Sequence, residues 1–335
     1  MTVPIQISAW NIHGHKSTII GDKLSDSSFL EEIKNDDIIA LTETHNNDAN
    51  DTLSIPGYRR VKIKNRAKTN KSNKNSGGLA YFAKPDIFKY ITPINNDNEN
   101  TIWIRVKKDL FDFKQDIFIG TVYLPPYKNN NESSKKILEL FEEILSFQKK
   151  GEVIVQGDFN ARTNVISDII EADKFDSILL GNANDKIIKR NSQDQAQADH
   201  RGKELIELCK SLEMIILNGR KIGDVYGKYT SLQWNGNSVV DYVLASQSIY
   251  SSVSYFKIGN FIPWLSDHCA TRFRLDSCMI RGNIPNVKES REEFESLAWD
   301  DDSPEKFTTL LSAHEQDISE ILNMPPDTNV LEKFG

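Results

Sequence analysis

The hydrophobic positions of this chain mostly form short apolar runs that end at Gly, Pro, Asn or Asp. Runs rich in β-branched residues are typical of strands, and uninterrupted apolar runs are typical of strands buried on both faces. The pattern predicts strands over residues 5–11, 38–41, 79–83, 102–106, 116–124, 153–155, 214–217, 229–234, 239–244, 251–258 and 269–275. Apolar and polar residues alternate in 102–106, so we expect that strand to be half buried. Asn235-Gly236 lies between two of the runs and predicts a hairpin turn.

Helical periodicity is confined to a few segments of the chain. Three amphipathic helices are predicted: one begins at Asp26 or Ser27, one begins at Ser133 or Ser134, and one spans Gly202–Leu212. Strands outnumber helices, and many strands follow one another without a helix between them. We therefore expect an α/β fold whose sheets are mixed rather than purely parallel.

The negative charge of the chain is concentrated at its C-terminal end. The net charge is −7, and residues 281–335 contain 5 Lys or Arg and 13 Asp or Glu. The first 280 residues contain 36 basic and 35 acidic residues, so their charge is balanced. We predict a boundary near residue 278, between a domain at 1–278 and an acidic, partly helical segment at 279–335. The polar, irregular segment 163–200 is interpreted as a long surface excursion.

Composition excludes several classes of protein. The 335 residues are 39% hydrophobic and 27% charged, as in globular domains, and no run of 18 apolar residues suggests a membrane span. The beginning, MTVPIQISAWN, leads directly into a strand and does not resemble a signal peptide. Cys209, Cys269 and Cys278 lack the spacing of metal ligands, which predicts a reducing, intracellular environment and no zinc site.

A basic segment follows the second predicted strand. Residues 59–74 contain eight Lys or Arg and no acidic residue, and the segment is interpreted as a loop. Such a run is usually a solvated face, but here it stands out against a domain of balanced charge. It is therefore a candidate for contact with a nucleic-acid backbone. The candidate residues are Arg59, Arg60, Lys62, Lys64, Arg66 and Lys68.

Polar residues lie at the ends of several of the predicted strands. They are Asn11, Glu43, Tyr123, Asp158, Asn160, Asp241 and the triplet Ser266-Asp267-His268. Each one alone is explained by a turn or by packing, because Asp and Asn are ordinary turn residues. In the stretch from Glu152 to Arg162, however, a carboxylate and a carboxamide follow a buried strand two residues apart. That arrangement suits holding and polarising a water molecule.

The order of these residues resembles that of the endonuclease/exonuclease/phosphatase superfamily of metal-dependent phosphoesterases. The resemblance covers roughly residues 3–276 and rests on WNIHG, TETH, GDFNAR, VDYVLAS and SDH taken together. Within the superfamily, the chain is most similar to the endonuclease domain of non-LTR (LINE-type) retrotransposon proteins, because of RGKELIELCKSLEMIILNGR and GKYT. Abasic-site repair endonucleases normally carry GDLN, and Arg-Leu before the Asp-Tyr pair. This chain has GDFN and Val239-Val240.

The resemblance implies both a fold and a cofactor. The fold is a four-layer α/β/β/α sandwich of two mixed β-sheets flanked by helices. The cofactor is Mg²⁺, with Mn²⁺ as the alternative, and Glu43 is the implied principal ligand with Asn11 and Asp267 near it. Oxygen ligands of this kind suit a hard divalent cation.

The resemblance also implies roles in phosphodiester hydrolysis. Asp158 would orient or deprotonate the attacking water, and Asn160 would hold water or phosphate. His268 would contact a phosphate oxygen, and Asp241 would fix the tautomer of its ring and favour its charged form. The side chains with supporting phosphate or network roles are Tyr123, Thr230 and Ser266.

The implied function is Mg²⁺-dependent nicking of duplex DNA, which leaves a 3′-OH that primes reverse transcription of the element's RNA. The implied partner is a C-terminal reverse transcriptase region of a longer polyprotein, and the implied place of action is the nucleus. The alternatives are an abasic-site repair nuclease, a phosphatase of the same fold, and a catalytically inactive DNA-binding module. No role is assigned to His13, His15 and His45, and packing roles are predicted for Trp10 and Trp264.

Overall fold

Two six-stranded mixed β-sheets form the centre of the fold. The computed structural model describes residues 4–46, 53–66, 76–111, 113–170 and 187–277. The strands are β1 (Ile5–Asn11), β2 (Lys16–Ser17), β3 (Gly21–Asp22), β4 (Ile38–Thr42), β5 (Arg59–Lys64), β6 (Leu79–Ala83), β7 (Ile91–Ile94), β8 (Thr101–Val106), β9 (Ile117–Tyr123), β10 (Glu152–Asp158), β11 (Met214–Ile216), β12 (Ser231–Gln233), β13 (Gly236–Ser238), β14 (Asp241–Ser246), β15 (Val253–Ile258) and β16 (Thr271–Leu275). The α-helices are α1 (Ser27–Ile33), α2 (Pro85–Phe88), α3 (Asn130–Gln148) and α4 (His200–Ser211).

Each sheet contains one central parallel pair of strands. Sheet A has the order β15-β16-β1-β4-β6-β5, and sheet B has the order β11-β14-β10-β9-β8-β7. Strands β1 and β4 are parallel, β9 and β10 are parallel, and the other neighbours are antiparallel. The predicted mixed sheets are confirmed. Because parallel strands end at the same edge of a sheet, the loops after β1 and β4 lie side by side, as do those after β9 and β10.

Three apolar clusters fill the spaces between the layers of the fold. The first lies between the sheets and joins residues such as Ile7 of sheet A to Ile119 and Ile154 of sheet B. The second packs the outer face of sheet B against α3 and α4. The third packs the outer face of sheet A against α1. This succession of layers confirms the predicted α/β/β/α sandwich, in which each sheet buries both of its faces.

Among the described helices, α1, α3 and α4 begin where a polar side chain caps the first turn. Asp26 caps α1, as predicted, and its carboxylate accepts from the backbone N of Ser28 at 2.8 Å. The predicted start of α3 at Ser133 or Ser134 is wrong, because Asn129 is the cap. Ser133 is instead buried inside the helix, so the run of polar residues before it, and not the serine pair, forms the first turn.

The basic segment begins as a strand and not as the predicted loop. Strand β5 pairs with β6 at the edge of sheet A, with a register shift between Arg60 and Lys62. Val61 and Ile63 alternate with the basic residues, and charged side chains are common on edge strands. Strand β8 also differs from the prediction, because it is almost entirely buried. Thr101 and Trp103 face the helical layer, where both donate to Glu143 of α3, whereas the Arg105 side chain is 42% exposed.

The predicted hairpin around Asn235-Gly236 is shorter than expected. Only β12 and β13 pair across the turn, from Ser231 with Ser238 to Gln233 with Gly236. The following run, predicted as the second hairpin strand, is β14, which lies between β10 and β11 in sheet B. All six of its residues are buried, so burial in the sheet prevails over extension of the hairpin.

Several smaller expectations have mixed outcomes. Trp10 is buried and its Nε1 donates to the backbone O of His268 at 2.8 Å, whereas Trp264 is 51% exposed, so its predicted packing role is wrong. The described parts of segment 163–200 are irregular, but Asp168 is buried in an ion pair with Arg220 at 2.6 Å. The predicted acidic segment 279–335 lies outside the described residues. Within the described residues, no helix combines the length and apolar character needed to cross a membrane.

Candidate active site

Strand register brings the predicted site residues to one edge of the two sheets. In sheet A, the paired ends of β1 and β4 place Asn11 beside Glu43. In sheet B, Asp158 lies between Tyr123 of β9 and Asp241 of β14. The amide Nδ2 of Asn11 donates to Glu43 Oε1 at 2.8 Å and to Asp158 Oδ2 at 2.9 Å. This side chain therefore joins the ends of the two sheets.

His268 lies beside this edge and is held by Asp241. Its Nδ1 is 2.8 Å from Asp241 Oδ2, and both side chains are buried. Burial lowers the pKa of His268, but the charge of Asp241 and its hydrogen bond outweigh burial and raise the pKa to about 10. The ring is therefore an imidazolium at neutral pH, which donates to Asp241 and presents positive charge to an anion such as a phosphate.

Asp158 is the most buried carboxylate of the cluster. Burial and the charge of Asp241 raise its pKa to about 7, although His268 acts in the opposite direction. Its Oδ1 accepts from the backbone N of Asn160 at 2.9 Å, and its Oδ2 accepts from the side-chain amides of Asn11 and Asn160. A carboxylate whose pKa lies near neutrality is suited to accept a proton from water.

Unusual backbone conformations concentrate around this cluster. Six non-glycine residues in the described part of the chain have positive φ, and four of them are His13, Glu43, His45 and Asn160, with φ between 45° and 51°. Gly157 has φ +127°, and a Cβ there would lie 2.2 Å from a carbonyl oxygen of β9. Strained residues of this kind persist where surrounding contacts hold them, and they cluster at functional sites.

Two histidines contact the predicted metal ligands, although the sequence motifs assigned them no role. His45 Nε2 lies 2.9 Å from Glu43 Oε2, and His13 Nδ1 lies 3.1 Å from Asp267 Oδ1. Burial raises the pKa of Glu43, but hydrogen bonds from His45 and Asn11 outweigh it and lower the pKa. Burial raises the pKa of Asp267, but the bond from His13 and the charges of His268 and His13 together outweigh burial and lower the pKa to about 2. The only signal in the sequence was that each histidine lies close to a motif position.

Thr230 and Ser266 are buried and hydrogen bonded within the protein. Thr230 Oγ1 accepts from the backbone N of Asp241 at 3.1 Å, so it holds the start of β14. Ser266 Oγ donates to the backbone O of Asn11 at 2.6 Å and accepts from the backbone N of His268 at 3.0 Å. In this structure both hydroxyls position other site residues. Their predicted contacts with phosphate stay a prediction.

Tyr123 completes the cluster next to Glu43. The phenol is buried, and its pKa lies above the ordinary value because of burial and the charges of Glu43 and Asp158. Its hydroxyl is hydrogen bonded to Glu43 and remains protonated at neutral pH. Tyr123 is therefore a neutral donor to Glu43.

The candidate basic residues of segment 59–74 divide into two groups. Arg59 and Arg60 are exposed, and the guanidinium of Arg59 lies 5.5 Å from the ring centroid of Phe88. The other described members donate to residues 94–99 of the neighbouring loop; they are Lys62, Lys64 and Arg66. Lys68 lies outside the described residues. Among the described residues of this set, only Arg59 and Arg60 therefore present their charges to solvent and make no hydrogen bond to that loop.

The chemistry of the donor set fits a hard divalent cation. Glu43 and Asp267 offer carboxylate oxygens, and the site also contains two further acids, Asp158 and Asp241, whose mutual repulsion a cation would relieve. Asn11 faces the carboxylates with its amide nitrogen in this arrangement. A second group has ligand atoms within 4.8 Å of one another and consists of Asp158, Asp241 and His268. It suits a cation less well, because the His268 ring is already charged.

A model of the endonuclease/exonuclease/phosphatase family matches residues 8–268, which span β1 to the end of the Ser266-Asp267-His268 triplet. This match includes every strand that contributes to the cluster. The chain belongs to this family. All the residues of the cluster therefore lie within the part of the chain that the family model matches. No curated protein matches the chain in sequence.

Several solved structures are similar to this chain at low sequence identity. The AP endonuclease LMAP from Leishmania major is 16% identical, with a TM-score of 0.58 over 82% of this chain and 88% of that chain. The 3′-5′ exonuclease NExo from Neisseria meningitidis is 13% identical, with a TM-score of 0.52 over 81% and 100%. The endonuclease domain of TRAS1, a telomere-specific non-LTR retrotransposon, is 15% identical, with a TM-score of 0.49 over 82% and 99%.

Proposed function

We propose that this protein is a Mg²⁺-dependent endonuclease that nicks duplex DNA and leaves a 3′-OH to prime reverse transcription of a non-LTR retrotransposon. The observation that carries the proposal is the hydrogen-bonded cluster of Glu43, Asn11, Asp158, Asp241 and His268 at the joined ends of the two sheets. The retrotransposon branch is supported by GDFN, Val239-Val240 and GKYT in the sequence.

The cluster contains the groups that phosphodiester hydrolysis requires. Asp158 accepts a proton from the attacking water, and Asn160 keeps the carboxylate oriented through its backbone N. His268, held as a cation by Asp241, donates to a phosphate oxygen and stabilises the charge that develops there. A divalent cation bound by Glu43 and Asp267 would supply further stabilisation of that charge.

The β12–β13 hairpin is the element we assign to target recognition. It is anchored to the catalytic segment, because Ser231 bridges to His268 and Gln233 Nε2 donates to Asp267 Oδ2 at 2.9 Å. Its tip carries Trp234, which is 98% exposed. An aromatic side chain that projects beside the site is suited to contact a groove or to enter a base step.

The proposal includes partners and a place of action. A C-terminal reverse transcriptase region of a longer polyprotein would use the 3′-OH, and the DNA target places the reaction in the nucleus. The exposed Arg59 and Arg60 lie at the end of β5 opposite to the cluster, since Arg59 pairs with Ala83 and Lys64 pairs with Leu79. They would contribute phosphate contacts away from the cleaved bond.

A plasmid nicking assay tests the proposal. Purified protein is incubated with supercoiled plasmid in Mg²⁺ or EDTA, and the nicked ends are extended directly with a polymerase. We expect nicks in Mg²⁺ only, on DNA without lesions, with ends that are extended without phosphatase treatment. Glu43→Ala should abolish nicking while circular dichroism shows an intact fold, because its side chain lies at a strand end.

Other outcomes of this assay would identify the alternative functions. Cleavage that requires an abasic site would indicate a repair nuclease. Release of phosphate without a nick would indicate a phosphatase, and DNA binding without any hydrolysis would indicate an inactive binding module. Full activity in EDTA, or in Glu43→Ala, would contradict the metal assignment.

A further inference from the structure

A cleft of about 310 Å³ opens on one side of the catalytic cluster. Its lining includes Asn160 and His268, and it extends to Tyr127, Arg162 and Gln233. The last three are not members of the catalytic cluster, although Gln233 donates to Asp267. The volume is near the lower limit for small-molecule sites and is suited to about one nucleotide. The cleft therefore continues from the position of the reacting phosphate.

One wall of this cleft is a tyrosine ring backed by a buried cation. The guanidinium Cζ of Arg201 lies 4.5 Å from the ring centroid of Tyr127. Arg201 is fully buried, and its described hydrogen bonds all go to uncharged oxygens, including those of Pro125 and Phe159. Its Nη2 has no hydrogen-bond partner among the described residues. The positive charge fixes the ring from behind, and the ring remains partly exposed on the cleft.

A second cation lies on the same cleft. Arg162 follows the catalytic strand, and its Nη1 donates to Asp194 Oδ1 at 3.1 Å, while Nη2 makes only a 3.5 Å contact with the backbone O of Asn237. The close approach of α4 fixes the backbone of Arg162, because a Cβ on Gly202 would lie 1.8 Å from its carbonyl oxygen. The side chain is 35% exposed, so the guanidinium is positioned and still accessible.

We propose that this cleft binds the nucleotide that adjoins the cleaved phosphodiester, with its base stacked on Tyr127 and its outer phosphate on Arg162. This inference rests on the proposed nuclease function and adds a substrate subsite to it. Stacking on an aromatic ring tolerates any base but favours those that stack strongly, and an arginine provides contacts to phosphate. The subsite therefore contributes affinity and a preference at one position of the target.

Substitution of Tyr127 tests the stacking contact. Tyr127→Ala should weaken binding of a fluorescent duplex in EDTA and raise KM in Mg²⁺, each by roughly tenfold or more, with a smaller effect on kcat. Tyr127→Phe should keep both values, because the ring stacks without its hydroxyl. In mapped nicks, Tyr127→Ala should flatten the base preference only at the position next to the cut.

The matched control is Tyr90→Ala, which removes a tyrosine that also has a cation, Lys89, over its ring at 5.0 Å. Tyr90 precedes β7, whose first residue pairs with the last residue of β8, at the end of sheet B opposite to the site. This variant should bind and cut like the wild type. Thermal unfolding of each variant separates weaker DNA binding from a less stable fold.

Arg162→Gln supplies an independent measurement that does not depend on the ring. It should lower the slope of log affinity against log salt concentration by about one unit. The subsite would be overturned if folded Tyr127→Ala and Arg162→Gln proteins kept the wild-type affinity, salt slope and base preference. It would also be overturned if Tyr127→Phe were as defective as Tyr127→Ala. If the wild-type protein binds duplex DNA but never nicks it, only the nuclease function is contradicted. The affinities of the wild type and of the Tyr127 and Arg162 variants for that duplex would still test the cleft.

Discussion

Asp158 and His268 act on each other through Asp241, which contacts the histidine directly and lies beside Asp158 in the sheet. The negative charge of Asp241 raises the pKa of both groups. Asp241 therefore helps the Asp158 carboxylate to take up a proton near neutral pH and helps the His268 ring to keep its proton. Two groups arranged in this way are expected to serve one transition state rather than two separate steps.

A double-mutant cycle measures this coupling. Asp158→Ala and His268→Ala should each lower the nicking rate about a hundredfold or more. The double variant should lose much less than the product of the two losses, because groups that act as a unit are not additive. His200→Ala is the matched control, since His200 is partly exposed at the start of α4. Losses that add in log rate would show that the two residues work independently.

At the scale of single elements, strand β5 carries two kinds of cation. The side chains of Arg59 and Arg60 are exposed, whereas the ammonium groups of Lys62 and Lys64 donate to the loop 94–98. A cation that faces solvent releases counterions when it meets a phosphate. A cation already bound to carbonyl oxygens mainly holds the loop against the strand.

These two groups should therefore respond differently to neutralisation. The pair Arg59→Gln and Arg60→Gln should weaken binding at all DNA sequences and reduce the log–log salt slope by roughly one unit for each phosphate that is no longer neutralised. The pair Lys62→Met and Lys64→Met should lower the midpoint of chemical denaturation and change the salt slope less. The measurements are fluorescence anisotropy across salt concentrations and urea titration. Equal slopes in the wild type and the arginine double variant would remove β5 from the DNA interface.

The β12–β13 hairpin should determine where the protein cuts. We expect Trp234→Ala to change the distribution of nick positions on a plasmid while the total rate with excess enzyme changes little, because Trp234 lies at the tip and outside the catalytic cluster. Trp234→Phe should keep much of the wild-type distribution. Leu138→Ala on α3 removes an exposed apolar side chain elsewhere and is the control. An unchanged nick map in Trp234→Ala would assign target selection to another element.

At the scale of the whole molecule, both sheets and the cluster they form lie within residues 4–277. Residues 281–335 carry a net charge of −8 from 5 basic and 13 acidic residues. Removal of 281–335 should leave a folded nuclease with wild-type kcat, and its affinity for DNA should rise because the negative charge is removed. Size-exclusion chromatography and nicking kinetics of the truncated protein check this. An insoluble or inactive product would mean that the acidic segment supports the nuclease domain.

Local patterns in the sequence predicted most of the secondary structure and the mixed sheets, whereas the layered fold was implied by the resemblance of the motifs to a known family. Strands such as β1, β4 and β10 and the start of α1 were predictable because apolar periodicity and capping residues act over a few neighbouring positions. The order of polar residues at strand ends was also visible, from Asn11 to His268. Their roles in catalysis and metal binding stay predictions, although the structure brings them to one edge.

The tertiary structure decided which of these residues touch and what else joins them. The contacts of His13 and His45 with acidic residues, the pairing of β5 with β6, and the cation behind Tyr127 all join parts of the chain that local patterns treat separately. A residue's neighbours across a sheet depend on strand order and register, and a one-residue shift would turn each side chain to the other face. The tertiary structure also sets charge at the ends of strands. Burial and the charge of Asp241 raise the pKa of Asp158, whereas burial at Glu43 is outweighed by hydrogen bonds from His45 and Asn11, which lower its pKa.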